Sequence, residues 1–263
     1  VVALPILLSW FVSPALAWWT SRPRQAVAIQ LSDQQQLYLR RMARKTWAFF
    51  ETMVGLDDNW LPPDNVQEHP AAVVAHRTSP TNMGLALLAN LAARDFGYLG
   101  LGRMLDRTAN TLRTMQQLER HRGHFYNWYD TQTLQPLAPR YVSSVDSGNL
   151  AAHLLTLRAG LLGMRGERLL SGHLMRGIRD TLELIEGACA SEAAPKSLSR
   201  LRRELEAMGS GVHDSLEMAR RNLRVILGLA GSLLDEQDLS RSSEAAYWSV
   251  SLVRQAEDAL DDL

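Results

Sequence analysis

The chain has 263 residues, and its 28 acidic side chains balance its 28 basic ones, so the formal net charge is zero. This balance excludes an electrostatic basis for binding nucleic acid or a strongly anionic substrate, and no nucleic-acid partner is expected. The single cysteine, Cys189, excludes an internal disulfide framework and any metal site built from several cysteines. The length allows one large domain or two small ones.

The first predicted element is a transmembrane helix over residues 1–21. A mostly apolar run ends in the Trp18-Trp19 pair, which is typical of a membrane-spanning helix with an aromatic belt at the interface. A buried core helix is the alternative. By the positive-inside rule, the basic residues that follow place the next domain on the cytoplasmic side: Arg22, Arg24, Arg40, Arg41, Arg44 and Lys45. Because the chain opens on Val1 and not on methionine, we expect it to be an excerpt of a longer one.

Two helices are predicted after a linker over residues 22–31. Ser32 and Gln35 have the spacing of a capping box, and a one-sided apolar stripe at helical spacing follows them. After a polar loop, the second helix starts with Ser79 as its N-cap and Pro80 at its first position. Its central part is apolar on nearly every side, so we expect this helix to be buried all round.

A similar pair of helices is predicted further along the chain. A one-sided helix from about Leu101 precedes an aromatic loop, and a helix over about Ser147–Leu162 is again apolar on all sides. This alternation is typical of a double-layered barrel in which outer helices alternate with inner ones. Both predicted inner helices follow a polar or aromatic loop, so we expect these two loops together at one end of the barrel.

The aromatic loop is the most informative segment for function. It and its flanks combine rings with amides and carboxylates: Phe125, Tyr126, Asn127, Trp128, Tyr129, Asp130, Tyr141, Asp146 and Asn149. Such a loop on a helical scaffold suits a cleft for a polyhydroxylated ligand, because rings can lie on the C–H faces of sugars while polar groups bind the hydroxyls. A packed hairpin with its aromatic residues in the core is the alternative.

Asp146 is the best candidate for a catalytic carboxylate. It stands at the start of the second inner helix, where it faces the cleft or, alternatively, only caps the helix. Asp130 is predicted to form a turn, whereas Asp64 either reaches the same cleft or satisfies backbone groups. His121 and His124 have the spacing of a helical metal pair, but no third ligand is near them, so neither a metal nor a cofactor is expected.

Residues 166–263 predict long amphipathic helices, with breaks near Pro195, the Gly209–Gly211 pair and Gly231. Charge in this part is dense and of mixed sign, which is typical of solvated helical faces. We expect a helical insert or bundle without chemistry of its own.

Several strings closely resemble cyclic β-1,2-glucan synthases, very large proteins of the bacterial inner membrane. They are WLPPDNVQE, HRTSPTNMGLALLANLAARDFGYL and ERHRGHFYNWYDTQTLQPLAPRYVSSVDSGNLAAHL, together with the apolar run and the arginines behind it. The resemblance is strong over about residues 31–155 and weak after residue 162. In that family, this part joins the last membrane helices to a glucoamylase-like central domain.

The resemblance implies an all-α fold in which residues 32–165 form the N-terminal part of an (α/α)6 toroid. That domain cyclises a linear β-1,2-glucan by transglycosylation, so the chain is expected to be part of a glycosyltransferase at the cytoplasmic face of the inner membrane. The implied partners are the β-1,2-glucan chain, the lipid bilayer, and an upstream glycosyltransferase domain and a downstream phosphorylase-like domain of the same polypeptide. Retaining transglycosylation needs two carboxyl groups about 5 Å apart, and the family's glutamates are expected beyond Leu263.

Matching the family's cleft motifs onto the chain gives a set of implied glucan contacts: Arg77, Thr78, Ser79, Asn82, Tyr126, Trp128, Asp146 and Asn149. The nucleophile and the acid/base are not assigned. Two other functions stay open. One is a membrane-tethered β-glucan hydrolase of the inverting (α/α)6 type, with Asp146 helping to position water, and the other is a non-catalytic helical scaffold in which the aromatic loop is core.

Overall fold

Helices dominate the computed structural model, which describes residues 3–22, 30–167, 172–189, 195–208, 215–236 and 244–263. Short two-stranded antiparallel sheets connect some of the helices. The prediction of an all-α fold is therefore confirmed. The chain forms two compact units, residues 1–38 and residues 39–263.

The first unit contains helix α1 (Leu4–Thr20), which coincides with the apolar run. It has 17 residues. No helix within the described residues is both long and apolar enough to cross a membrane. The prediction of a transmembrane helix over residues 1–21 is therefore not supported.

Helix α2 (Asp33–Met53) begins in the first unit and continues into the second. The predicted capping box is confirmed at its start. The backbone N–H of Ser32 donates to Gln35 Oε1 at 2.9 Å, and the backbone N–H of Gln35 donates to Ser32 Oγ at 3.3 Å. These reciprocal bonds satisfy donors that a helix N-terminus leaves free.

The first half of the second unit alternates helices with short strands. The elements after α2 are a 3-10 helix (Leu56–Asp58), β1 (Val66–Gln67), β2 (Val73–Val74), β3 (Arg77–Thr78), α3 (Pro80–Phe96), α4 (Leu101–Gln117), β4 (Arg120–His121), β5 (His124–Phe125), β6 (Tyr129–Asp130) and α5 (Ser144–Gly163). Strand β1 pairs with β2, β4 with β5, and β3 with β6, all antiparallel. The predicted N-cap of α3 is confirmed, since Ser79 Oγ accepts from the backbone N–H of Asn82 at 3.2 Å.

Helices α3 and α5 pack closely and run parallel, because later residues of α3 contact later residues of α5: Gly84 lies beside His153, and Leu91 lies beside Gly160. A Cβ on Gly84 would lie 2.2 Å from Nδ1 of His153, and one on Gly160 would lie 2.5 Å from a methyl group of Leu91. Glycine therefore permits this approach. The two helices start at the same end, and the pairing of β3 with β6 confirms that the loops before them lie together.

The two helices differ in burial. Helix α3 buries much of its surface, including Met83 and Leu87, but Leu85 is 45% exposed, so the prediction of burial on all sides is wrong here. On α5, however, only Leu150 and Leu157 are buried, and Leu155 on the opposite flank is 68% exposed. All-round burial is thus wrong for α5, because no described element covers that flank. The structure does not confirm the toroid.

The second half of the unit consists of α6 (Gly172–Ala188), α7 (Lys196–Ala207), α8 (Leu216–Glu236) and α9 (Glu244–Asp261). These helices share one core. Each contributes a fully buried apolar side chain to it: Ile178, Leu201, Leu223 and Leu252. The predicted break at Gly231 is wrong, because Gly231 lies inside α8. A single helical glycine costs only about 1 kcal/mol, which this core can offset.

Helix α2 is anchored to this core by a buried arginine. The Arg44 side chain is fully buried, and its guanidinium forms an ion pair with Glu51 at 3.0 Å. It also donates to the hydroxyl of Thr181 on α6 at 2.9 Å. The guanidinium carbon lies 5.4 Å from the ring centre of Tyr98 and 5.0 Å from that of Trp248, which is on α9.

The N-terminus of α4 is capped from the far end of the chain. Gly100 occupies the N-cap position and has no side chain to offer. Asp262 supplies the acceptor instead, because its Oδ1 accepts from the backbone N–H of Gly102 at 3.0 Å. Burial raises the pKa of Asp262 even though bonds from the backbone of Gly102 and Leu101 oppose the shift.

Candidate functional site

The candidate site lies where the chain enters α3 and α5. In the ribbon of β3 and β6, Arg77 pairs with Asp130 and Thr78 with Tyr129. Strand β3 leads directly into α3, and the segment after β6 leads into α5. Because the two helices are parallel, the polar residues of both first turns meet at the ribbon.

Asp146 lies between the two helix starts. Helix α5 begins at Ser144, and its N-cap is Ser143, whose Oγ accepts from the backbone N–H of Asp146 at 3.1 Å. The same hydroxyl donates to Asp146 Oδ2 at 2.6 Å. From the other helix, the hydroxyl of Thr81 donates to Asp146 Oδ1 at 2.7 Å. Asp146 is thus not the helix cap, and its carboxylate joins the first turns of α3 and α5.

Asn127 completes the surroundings of this carboxylate. It is buried, and its backbone N–H donates to the carbonyl of Tyr141 at 2.9 Å. With the amide oxygen facing the neighbouring donors, Asn127 accepts from Nε1 of Trp128 and from the hydroxyl of Tyr141, both at 2.7 Å. The amide nitrogen then donates to Asp146 Oδ2 at 3.0 Å. One buried amide therefore links two aromatic side chains to the acid.

These contacts favour the ionised form of Asp146. Burial alone would raise its pKa, but hydrogen bonds from Ser143 and Thr81 outweigh that effect and hold the pKa below its ordinary value. An ionised carboxylate only accepts hydrogen bonds, so both hydroxyls must donate to it. At neutral pH Asp146 can therefore act as an acceptor or a base, but it carries no proton to give as a general acid.

The lowered pKa makes an acid-dependent loss of stability testable. A carboxyl group whose folded-state pKa lies below its unfolded value stabilises the fold above the unfolded pKa, and this contribution is lost as pH falls through the folded pKa. We expect the difference in free energy of unfolding between wild type and Asp146→Asn, from urea titrations at pH 7, 5, 4 and 3, to shrink below about pH 4. A difference that stays constant across this series would contradict the proposed charge state.

A second polar group adjoins the first. Asp64 Oδ2 accepts from Nη2 and Nε of Arg77 at 2.9 and 3.2 Å, and Asp64 Oδ1 accepts from the amide of Asn82 at 3.3 Å. The Arg77 guanidinium also lies 5.1 Å from the ring centre of Trp128, within the range of a cation–π contact. Asp64 therefore joins Arg77 and Asn82, two of the implied glucan contacts.

The structure brings most of the implied glucan contacts together. Arg77, Asn82, Trp128 and Asp146 meet as described, and Asn149 joins them because its amide donates to the Thr81 hydroxyl at 3.1 Å. Ser79 joins them too, because its side chain caps α3 and also hydrogen-bonds to the Asp146 carboxylate. The other two lie differently. Thr78 is fully buried, and Tyr126 packs on the core beside Tyr129 with Arg140 at 5.9 Å from its ring centre.

Thr81 and Ser143 were not among the predicted site residues. Ser143 had a local signal, since a serine three residues before an acid is a capping-box pattern. Thr81 had no local signal in the sequence, because its contact with Asp146 depends on α5 lying beside α3. Asp130 forms a turn as predicted, and its Oδ1 accepts from the backbone N–H of Gln132 at 3.0 Å and of Thr133 at 2.7 Å.

A third polar group lies at one end of the ribbon. Nδ1 of His76 lies 2.7 Å from Oδ1 of the buried Asp58, and the Thr131 hydroxyl donates to the same oxygen. His76 directly precedes β3 and Thr131 directly follows β6, and the backbone N–H of Thr131 donates to the carbonyl of His76 at 3.1 Å. This group therefore ties the two strands together at one end of the ribbon. His121 and His124 do not share a helix face, because they pair across β4 and β5.

Comparison with known proteins finds a relative of this chain. No model of a known protein family matches it. The chain is 35% identical over 280 aligned residues to the cyclic β-(1,2)-glucan synthase NdvB of Rhizobium meliloti (strain 1021). The alignment covers 99% of the chain and 10% of that protein, so the chain spans about a tenth of the relative's length. The resemblance found in the motifs is thereby confirmed, and the chain is homologous to a segment of a cyclic β-(1,2)-glucan synthase.

Proposed function

We propose that the chain is part of a cyclic β-1,2-glucan synthase and that the site around Asp146 binds the glucan during its cyclisation by transglycosylation. The observation that carries this proposal is the oriented hydrogen-bond network at the joined N-termini of α3 and α5. The homology to a glucan synthase supplies the ligand class.

The hydrogen-bond network explains why the site suits a ligand rich in hydroxyl groups. The Asp146 carboxylate accepts hydrogen bonds from Thr81, Ser143 and Asn127, so these donors are not free for a ligand. Acceptor positions remain on the phenolic oxygen of Tyr141 and on the amide oxygen of Asn149. Each sugar hydroxyl can donate to such an oxygen, and Arg77 offers its remaining N–H groups to the sugar oxygens.

The site is better suited to holding glucan than to making or breaking its bonds. Retaining chemistry needs one carboxylic acid that carries a proton and a carboxylate about 5 Å from it. Asp146 is held in its ionised form, and Asp64 is bound by Arg77. We therefore propose that residues outside residues 1–263 supply the nucleophile and the acid/base, as the resemblance implies.

A larger helical ring is part of the same proposal. The outer flank of α5 exposes Val145, Leu155 and Leu162, at 70%, 68% and 45%. Burying such side chains is favourable by roughly 25 cal/mol per Å2 of apolar surface, which supports further inner helices against this flank in an (α/α)6 toroid. The upstream glycosyltransferase domain, the downstream phosphorylase-like domain and the location at the inner membrane stay predictions from the resemblance.

Calorimetry with two linear glucans tests the binding role. The whole synthase polypeptide is titrated with β-1,2-glucan and, as a control, with β-1,3-glucan of equal length. We expect the β-1,2-linked chain to bind with a Kd at least about tenfold lower, a difference of about 1.4 kcal/mol. Equal affinity, or no binding of either glucan, would refute the proposal. Mass spectrometry of the products adds a check, since release of shorter linear glucans without cyclic ones favours the hydrolase alternative.

A further inference from the structure

Tyr141 was absent from the implied glucan contacts, yet it lies at the rim of the candidate site. Its side chain is 47% exposed. Its hydroxyl donates to Oδ1 of Asn127 at 2.7 Å, which fixes the ring relative to Asp146. Tyr141 thus combines an accessible ring with a fixed position, which reduces the entropy lost when a ligand binds.

The direction of this hydrogen bond follows from the charge of Asp146. Because the ionised carboxylate only accepts, the Asn127 amide nitrogen must face it, and the amide oxygen must face Tyr141 and Trp128. The tyrosine hydroxyl therefore donates its one hydrogen bond to Asn127, within the protein. Its oxygen keeps lone pairs, so it can accept a hydrogen bond from a ligand hydroxyl.

The two rings of this network differ in how accessible their faces are. Trp128 is half-buried, and the guanidinium of Arg77 stacks on its indole. No ring or guanidinium among the described residues stacks on Tyr141. Of the two, Tyr141 therefore has the freer aromatic surface.

We propose that Tyr141 is a glucan-contacting residue, with its ring lying on the C–H face of one glucose unit and its phenolic oxygen accepting from a hydroxyl of that unit or the next. This inference rests on the proposed function. It adds to the site a residue that the resemblance did not supply, and it gives Asn127 the role of a positioning residue.

Two substitutions separate the ring from the hydroxyl. Tyr141→Phe keeps the ring, whereas Tyr141→Ala removes both groups. We expect the Kd of linear β-1,2-glucan, measured by calorimetry on the whole synthase, to rise about threefold in Tyr141→Phe and at least about tenfold in Tyr141→Ala. Tyr247 on α9 provides the matched control, since it is 38% exposed and its hydroxyl lies 3.0 Å from that of Thr52. Tyr247→Phe and Tyr247→Ala should leave the Kd unchanged.

The outcomes distinguish this inference from the function on which it rests. If the wild type binds no β-1,2-glucan, the proposed function and the inference fail together. If the wild type binds and Tyr141→Ala binds equally well, only the inference fails. Equal losses in Tyr141→Phe and Tyr141→Ala would mean that the hydroxyl acts through Asn127 and that the ring makes no contact. A loss of affinity that only follows a lowered thermal midpoint would also overturn the proposal.

Discussion

Replacing Asp146 with asparagine is expected to lower the cyclisation rate of the whole synthase at least about tenfold, equivalent to about 1.4 kcal/mol of transition-state stabilisation. Asparagine keeps the size of the side chain but removes its charge. Its NH2 group would also point a donor at the hydroxyl of Ser143 or Thr81, which now donates to Asp146. That hydroxyl would have to reverse, and the oriented acceptors of the site would change with it.

The fold should change little in this variant, with a thermal midpoint within about 3 °C of wild type. Asp130→Asn is the matched control. Burial would raise the pKa of Asp130, but hydrogen bonds that it accepts from Thr133 and Gln132 outweigh that effect and hold the pKa below its ordinary value, as at Asp146. We expect that variant to keep the wild-type cyclisation rate. If Asp146→Asn also keeps it, or loses activity only in proportion to stability, the carboxylate serves the fold and not the glucan.

The largest effect on stability is expected from Arg44→Ala. The substitution leaves Glu51, whose side chain is 10% exposed, without its buried partner. It also removes the cation–π contacts with the rings of Tyr98 and Trp248. Breaking a buried ion pair from one side typically costs about 3–5 kcal/mol, so the thermal midpoint should fall by roughly 10 °C.

Arg41→Ala on the same helix is the control for this prediction. Arg41 forms an ion pair with Glu183 at 2.9 Å, but its side chain is 41% exposed. Exposed pairs contribute at most about 1 kcal/mol, so the midpoint should shift by only a few degrees. Thermal unfolding followed by circular dichroism measures both variants. Similar shifts in the two would show that burial of Arg44 does not control the stability of this core.

The features predicted well from sequence depend on local chemistry. The capping box of Ser32 and Gln35, and the start of α3 at Ser79 and Pro80, involve residues a few positions apart, so pattern alone locates them. The start of α5 was placed near Ser147, although the helix begins at Ser144. The local signal for the earlier start is the spacing of the cap, Ser143, to Asp146.

The parts that sequence could not predict depend on which distant segments meet. The contact between Thr81 and Asp146 spans 65 positions in the sequence, and it exists because α3 and α5 pack in parallel through Gly84 and Gly160. No local pattern reports such pairing. The resemblance supplied Arg77 and Trp128 as site residues, but the stacking of one on the other needed the ribbon of β3 and β6.

The capping of α4 by Asp262 sets an order of events in the folding of this unit. The acceptor lies 160 positions beyond Gly102, the residue that it caps, and contacts of such long range form slowly because a large loop must close first. During synthesis, α4 leaves the ribosome long before its cap does. The first turn of α4 therefore lacks this cap and stays frayed until α9 packs against it. Folding of the N-terminal half of the unit is then completed only when the C-terminal helices have formed.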